Sequence, residues 1–200
     1  MLVGKRMTRE PVTVGPRDTL AAAKDKMTQG GFRRLPVVEE GRLVGILSER
    51  DLRQHTGYLE NTKTNVAMTE DPLTVTPAAT LEEAAQLLLR RKVGGLPVVE
   101  AGKLVGIITT SDILQAFLDV MGVSEKETAR IDIMMEGPER DLSGAARTIA
   151  AHGGDILGVG TYRETWEERP VFYVRVRAID PDRVASMLKK EGYDILGLHR

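Results

Sequence analysis

The chain repeats itself. Residues 7–53 and 68–114 align at a constant offset of 61 positions without a gap, and 20 of the 47 aligned pairs are identical. The strongest blocks are Leu35-Pro36-Val37-Val38-Glu39 against Leu96-Pro97-Val98-Val99-Glu100, and Leu43-Val44-Gly45-Ile46 against Leu104-Val105-Gly106-Ile107. Each copy then closes on a hydroxyl and an aspartate three residues apart, Ser48 and Asp51 in the first, Thr109 and Asp112 in the second. Both copies must adopt one supersecondary unit, and two copies are too few for a solenoid. The expectation is a pseudo-symmetric pair packed face to face.

Each copy reads as strand, helix, strand, strand, helix. In the first, Val12–Val14 is β-prone. Thr19 can cap a helix with Leu20, Ala23 and Met27 on one face, and Gly30-Gly31 stops it. Leu35–Val38 and Leu43–Leu47 flank Glu40-Gly41 as a hairpin, and Ser48 opens a second helix reaching about His55. The second copy repeats this with a capping box at Thr80 and Glu83, a helical face of Leu81, Ala84, Ala85 and Leu88, a turn at Ala101-Gly102, and a last helix from Thr109 to about Met121. The polar stretch 57–66 links the copies. The copies thus occupy about 1–62 and 63–122, and a third region, 129–200, differs in pattern. There Ile131, Ile133 and Met135 alternate as a strand, Asp141–His152 is a helix, Ile156–Thr161 and Val171–Ala178 are strands, Asp180-Pro181 opens a helix ending at Gly192, and Ile195–Leu198 is a final strand. This βαββαβ order gives a four-stranded antiparallel sheet with two helices on one face, the ferredoxin-like plan. The fold class is therefore mixed α/β (α+β).

Composition narrows the function. With 28 basic and 29 acidic residues and a net charge of −1, the chain lacks the basic excess of a general nucleic-acid binder. The absence of cysteine removes disulfides, thiolate metal sites and thiol nucleophiles, which fits a cytoplasmic protein. No apolar stretch suits a signal peptide or a membrane-spanning helix. His55, His152 and His199 show no ligand spacing, so no metal or cofactor is expected.

The chemistry collects where each repeat ends. A buried strand runs into a turn and a helix, whose first amides can hold an anion. Ser48 or Thr109 can bond a phosphate oxygen, and Asp51 or Asp112 can accept from a ribose diol. Gly45 or Gly106 would let a flat ring approach the backbone. These features describe a nucleoside monophosphate or similar adenosyl site. The same residues also make an ordinary capping box, a reading that needs no ligand.

These motifs resemble the CBS family, and the tandem resembles a Bateman module spanning about residues 3–121. The resemblance implies two clefts between paired repeats that bind AMP, ADP, ATP or S-adenosylmethionine. Asp51 and Asp112 would hold the ribose, and Ser48 and Thr109 would sit near the phosphate. Residues just before Leu-Pro face the ligand in such proteins. Here they are Arg33 and Arg34 in one copy, Gly94 and Gly95 in the other. Arginine supplies a forked, permanent charge for phosphate, so the Asp51 cleft is expected to be the principal AMP site and the other roomier and less basic. Arg33 and Arg34 could instead be a solvated surface pair. The resemblance also adds Thr13 and Thr74, which could equally be plain strand residues.

Region 129–200 resembles an ACT domain, with its glycine-containing loop at 136–141 and the segment His152–Ile156. That resemblance implies a homodimer and a possible amino-acid site at Gly137, Arg140, Asp141 and Asp155. Asp155 stands where asparagine is common in that family, so pairing without a ligand is the alternative. Trp166 reads as local packing or as a partner contact. The combination resembles regulatory proteins of the acetoin utilisation (AcuB) type in small-carbon metabolism. The expected function is a non-catalytic sensor acting on an unidentified partner enzyme. An amino-acid-responsive regulator and a small enzyme acting on an adenosyl ligand are the alternatives, although no catalytic set supports the last.

Overall fold

The computed structural model describes residues 1–135, 141–163, 169–178 and 180–200. The chain divides into two compact units, Met1–Leu114 and Gln115–Arg200. In the first unit each repeat builds a helix against a hairpin. Helices α1 (Leu20–Gly30) and α4 (Leu81–Arg91) are capped by the side chains of Thr19 and Thr80, which accept from Ala22 N and Glu83 N. Strands β2 (Arg34–Glu39) and β3 (Arg42–Ser48) pair as β5 (Gly95–Glu100) and β6 (Lys103–Thr109) do, with Leu35 opposite Leu47 and Leu96 opposite Ile108. Both residues of each turn, Glu40-Gly41 and Ala101-Gly102, have positive φ, as a two-residue turn matched to strand twist requires. The repeat recurs in the core: Leu20, Ala23, Met27, Leu35, Val37 and Leu47 are buried, and so are Leu81, Ala84, Leu88, Leu96, Val98 and Ile108 at the same offset.

The third strand of each sheet comes from the other repeat. Strand β1 (Thr8–Arg9) pairs with β6, placing Thr8 opposite Ile107 and Arg9 opposite Gly106. Strand β4 (Thr69–Glu70) pairs with β3, placing Thr69 opposite Ile46 and Glu70 opposite Gly45. The expected strand at Val12–Val14 does not form. Val14 makes only a parallel bridge to Val37 on the outer edge of β2, while Thr8–Arg9 pairs with β6 in the other sheet. The segments ahead of these strands also cross over. Met1 O accepts from Leu81 N in the second repeat, while Thr62 O accepts from Leu20 N in the first. The polar linker is therefore bonded structure: Thr64 N donates to Asp18 O, and Thr64–Ala67 forms the short helix α3.

Crossing explains Gly45 and Gly106. A Cβ on Gly45 would lie 2.5 Å from Met68 Sδ and 3.1 Å from Thr69 O, and one on Gly106 would lie 2.5 Å from Met7 Sδ and 2.9 Å from Thr8 O. The close approach that demands glycine is that of the crossing strand, so the expected approach of a ligand ring at these positions is replaced by a backbone contact. Helices α2 (Glu49–Gln54) and α5 (Thr110–Val120) follow β3 and β6.

In the second unit, strands β7 (Thr128–Met134), β8 (Asp155–Tyr162), β9 (Val171–Arg177) and β10 (Asp194–His199) form one antiparallel sheet in the order β10-β7-β9-β8. Helices α6 (Leu142–Ala151) and α7 (Pro181–Lys190) supply Ala145, Ile149, Val184 and Leu188 to a core with Ile131, Ile133, Val174 and Val176. This is the expected βαββαβ plan. The face carrying Asp132 and Tyr173, opposite each other on β7 and β9, also bears a polar cluster. Arg130 clasps Asp132 with two hydrogen bonds of 2.6 and 3.1 Å, Tyr162 donates to Asp132 at 3.2 Å, and His199 Nε2 lies 3.3 Å away. Arg130 also stacks over the Tyr162 and Tyr173 rings. No helix among the described residues is long and apolar enough to cross a membrane.

Candidate functional site

The two Ser/Thr-x-x-Asp turns are built alike. Ser48 N and Oγ both donate to Asp51 Oδ2, at 2.7 and 2.6 Å, and Thr109 N and Oγ1 both donate to Asp112 Oδ2, each at 2.7 Å. The capping box is therefore real in both copies, and it commits each hydroxyl proton to its own aspartate. The next amides are committed as well, with Glu49 N donating to Arg33 O and Thr110 N to Gly94 O. The expected helix-start anion hole is therefore internally satisfied at its first positions. Charged side chains surround the first of these turns.

Those side chains converge on a cavity of about 500 Å³ within the first unit. Arg33, Arg34, Ser48, Arg50, Asp51 and Arg53 come from the first repeat, while Thr69, Asp71, Leu73 and the run Lys92–Leu96 come from the second. Five cations, Arg33, Arg34, Arg50, Arg53 and Lys92, face three carboxylates, Glu49, Asp51 and Asp71. Burial, and then repulsion from Arg33 and Arg50, pushes the Arg34 guanidinium below its usual value, against the pull of Asp51. Such crowding of like charge favours an anionic guest.

The sequence reading is corrected here in two respects. Gly94 and Gly95, expected on the other cleft, line the same cavity as Arg33 and Arg34. The reason is a long reach. A Cβ on Gly94 would lie 2.0 Å from Arg34 Nη2, and one on Gly95 would lie 3.2 Å from Arg34 Cδ, so the arginine lies across the glycine backbone of the other repeat. Thr74 is not among the residues lining this cavity, to which β4 and the segment after it contribute Thr69, Asp71 and Leu73. Thr13 is half-buried, and its carbonyl accepts from Lys26 Nζ at 2.9 Å.

Arg50, Arg53 and Lys92 escaped the sequence reading. The repeat held a usable signal, because their partners at the 61-residue offset are Ser111, Leu114 and Gly31, none of them charged. In the second unit, Asp141 caps α6 by accepting from Gly144 N at 2.8 Å, and Asp155 lies 3.7 Å from Arg177. Gly137, Arg140 and Trp166 lie outside the described residues. Among the described residues no three His, Cys, Asp or Glu side chains gather as a metal site.

The model of the CBS domain family matches residues 3–56 and 64–119, more than half of the chain. The chain belongs to the CBS-domain family. Each match takes in one copy of the repeat, so the CBS pair coincides with the two exchanged sheets of the first unit. The chain is similar to an inosine-5'-monophosphate dehydrogenase of Korarchaeum cryptofilum, 39% identical over 108 residues. That match takes in 52% of this chain but only 22% of the dehydrogenase. Among solved structures it is similar to a Vibrio cholerae protein described as an acetoin utilisation protein, AcuB (TM-score 0.56, 35% identity, 63% of this chain and 96% of that one). It is also similar to CBSX2 of Arabidopsis thaliana in complex with AMP (TM-score 0.53, 32% identity, 58% of this chain and 96% of that one).

Proposed function

We propose that this CBS-pair protein is a non-catalytic regulatory sensor that binds an adenine nucleotide, AMP first, in the Asp51 cavity. The observation that carries the reading is the convergence of Asp51 with Arg33, Arg34 and Arg50 around a cavity of about 500 Å³. That volume suits a small-molecule site of about 300–1,000 Å³. Both capping bonds go to Asp51 Oδ2, which leaves Oδ1 to accept from a ribose hydroxyl. The arginines meet the phosphate. The solved AMP complex of the similar CBSX2 supports the choice of ligand. The Ser48 hydroxyl is held by the Asp51 carboxylate within the capping box, and no histidine is among the residues lining this cavity, which supports binding rather than catalysis.

The βαββαβ unit supports an ACT-like role in pairing two chains into a homodimer, in the cytoplasm. The likeness to AcuB supports a place in acetoin or other small-carbon metabolism, acting on a partner enzyme. An amino-acid site at Asp141 and Asp155 has less support, because both carboxylates have internal roles. Calorimetry of the full chain with AMP, ADP, ATP and S-adenosylmethionine tests the reading. The expected result is saturable AMP binding that is lost in Arg34→Ala. Heat-silent, unsaturable titrations with all four ligands would sink it.

A further inference from the structure

The second unit buries a carboxylate on the face of its sheet that the helices leave uncovered. On β7, Arg130, Asp132 and Met134 alternate with the core positions Ala129, Ile131 and Ile133. Asp132 is nevertheless only 5% exposed. A carboxylate leaves water at little cost only where donors replace that water. Here Arg130 and Tyr162 donate three hydrogen bonds to it, and His199 Nε2 lies 3.3 Å away. Two strand glycines make room for the arrangement. A Cβ on Gly160 would lie 2.5 Å from the Tyr173 ring, and one on Gly197 would lie 2.6 Å from His199 Nε2. Both rings therefore rest on glycine backbone.

The same cluster borders a cavity of about 540 Å³, within the usual small-molecule range of about 300–1,000 Å³. Asp132, Tyr162, His199 and Arg169 supply its polar lining. Met134, Val171 and Leu196 supply an apolar wall. The charges of this lining decide the guest. Arg130 matches Asp132, so the Arg169 guanidinium is in excess, joined by His199 whenever it is protonated. An ammonium group would meet that positive wall and an aspartate whose lone pairs already accept from Arg130 and Tyr162. A carboxylate would meet a forked, permanent charge instead.

We infer that this cavity is a second ligand site, for a short-chain carboxylate without an amino group, whose charged end meets Arg169 and His199 and whose alkyl chain lies on Met134, Val171 and Leu196. It shares no residue with the Asp51 cavity or with Asp141 and Asp155, and it stands independently of the nucleotide reading.

Isovalerate and valine share a carbon skeleton and differ in the ammonium group, so the two probe the ligand class directly. NMR titration of the full chain with isovalerate is expected to give saturable shifts in β7, β9 and β10, with valine bound at least about tenfold more weakly. Arg169→Ala should weaken isovalerate about 10- to 100-fold, the worth of a charge-assisted hydrogen bond. Arg169→Lys, which keeps the charge but not the fork, should fall between that variant and wild type. Arg169 is exposed, so these changes leave the sheet's core intact. Isovalerate shifts that never saturate, or that centre on the residues around Asp141, would overturn the inference. So would valine binding as tightly as isovalerate, or an Arg169→Ala affinity equal to that of wild type.

Discussion

Asp51 and Asp112 share a local geometry to within 0.1 Å and differ in what surrounds them. A carboxylate that already takes two hydrogen bonds on one oxygen is held in a fixed rotamer, which prepares the other oxygen for a ligand at little entropic cost. Asp51→Ala is therefore expected to weaken AMP binding about tenfold or more, whereas Asp112→Ala should change it less than threefold, as read by calorimetry at matched salt. The reverse order would move the site to the second turn. Asp132 is a different kind of aspartate. It is 5% exposed and satisfied by Arg130, Tyr162 and the nearby His199. Asp132→Asn keeps the shape but removes the charge that Arg130 faces, and it should cost about 1–3 kcal/mol in urea unfolding. A cost near zero would mean that the cluster is solvated rather than structural.

At the scale of elements, the exchange of edge strands defines the CBS pair. Each hairpin alone would expose an unpaired edge, and an isolated hairpin is only marginally stable. Strands β1 and β4 close those edges from the opposite repeat, which makes the two repeats one folding unit. Gly45 and Gly106 are the points of closest approach, so alanine there should cost about 1–3 kcal/mol through overpacking. The order of the two is also expected. At Gly106 the limiting backbone atom lies 2.9 Å away, and at Gly45 it lies 3.1 Å away, so Gly106→Ala should lower the urea midpoint more. Equal or negligible losses would argue that the crossing strands give way freely. Much of this level was legible beforehand. The hairpins, their turns and the capped helices follow from alternation, positive-φ turn residues and the caps Thr19 and Thr80. The crossing strands were not, since Thr8–Arg9 and Thr69–Glu70 are two-residue, exposed and polar, and carry no periodicity.

For the whole molecule, the two compact units keep separate cores, the repeat pair built from leucine and valine at the 61-residue offset and the second unit from Ile131, Ile133, Val174 and Leu188. Ile133→Ala in the second core should cost about 2–5 kcal/mol, seen as faster hydrogen exchange in β7 and β9, while AMP affinity stays at the wild-type value. A parallel loss of AMP binding would show that the units are energetically coupled.

The sequence by itself determined the repeat, the cap and turn chemistry of each copy, the βαββαβ order of the second unit, and the residue types able to meet a ribose and a phosphate. All of these are written in spacings of a few residues or in a single fixed offset. Only the tertiary structure decided that each sheet borrows its third strand from the other copy. It also decided that Gly45 and Gly106 make room for backbone, and that Arg33, Arg34, Gly94 and Lys92 belong to one cavity. Those facts depend on which residues, some sixty positions apart, come to lie side by side. Local propensity and periodicity do not record that proximity, whereas close packing fixes it.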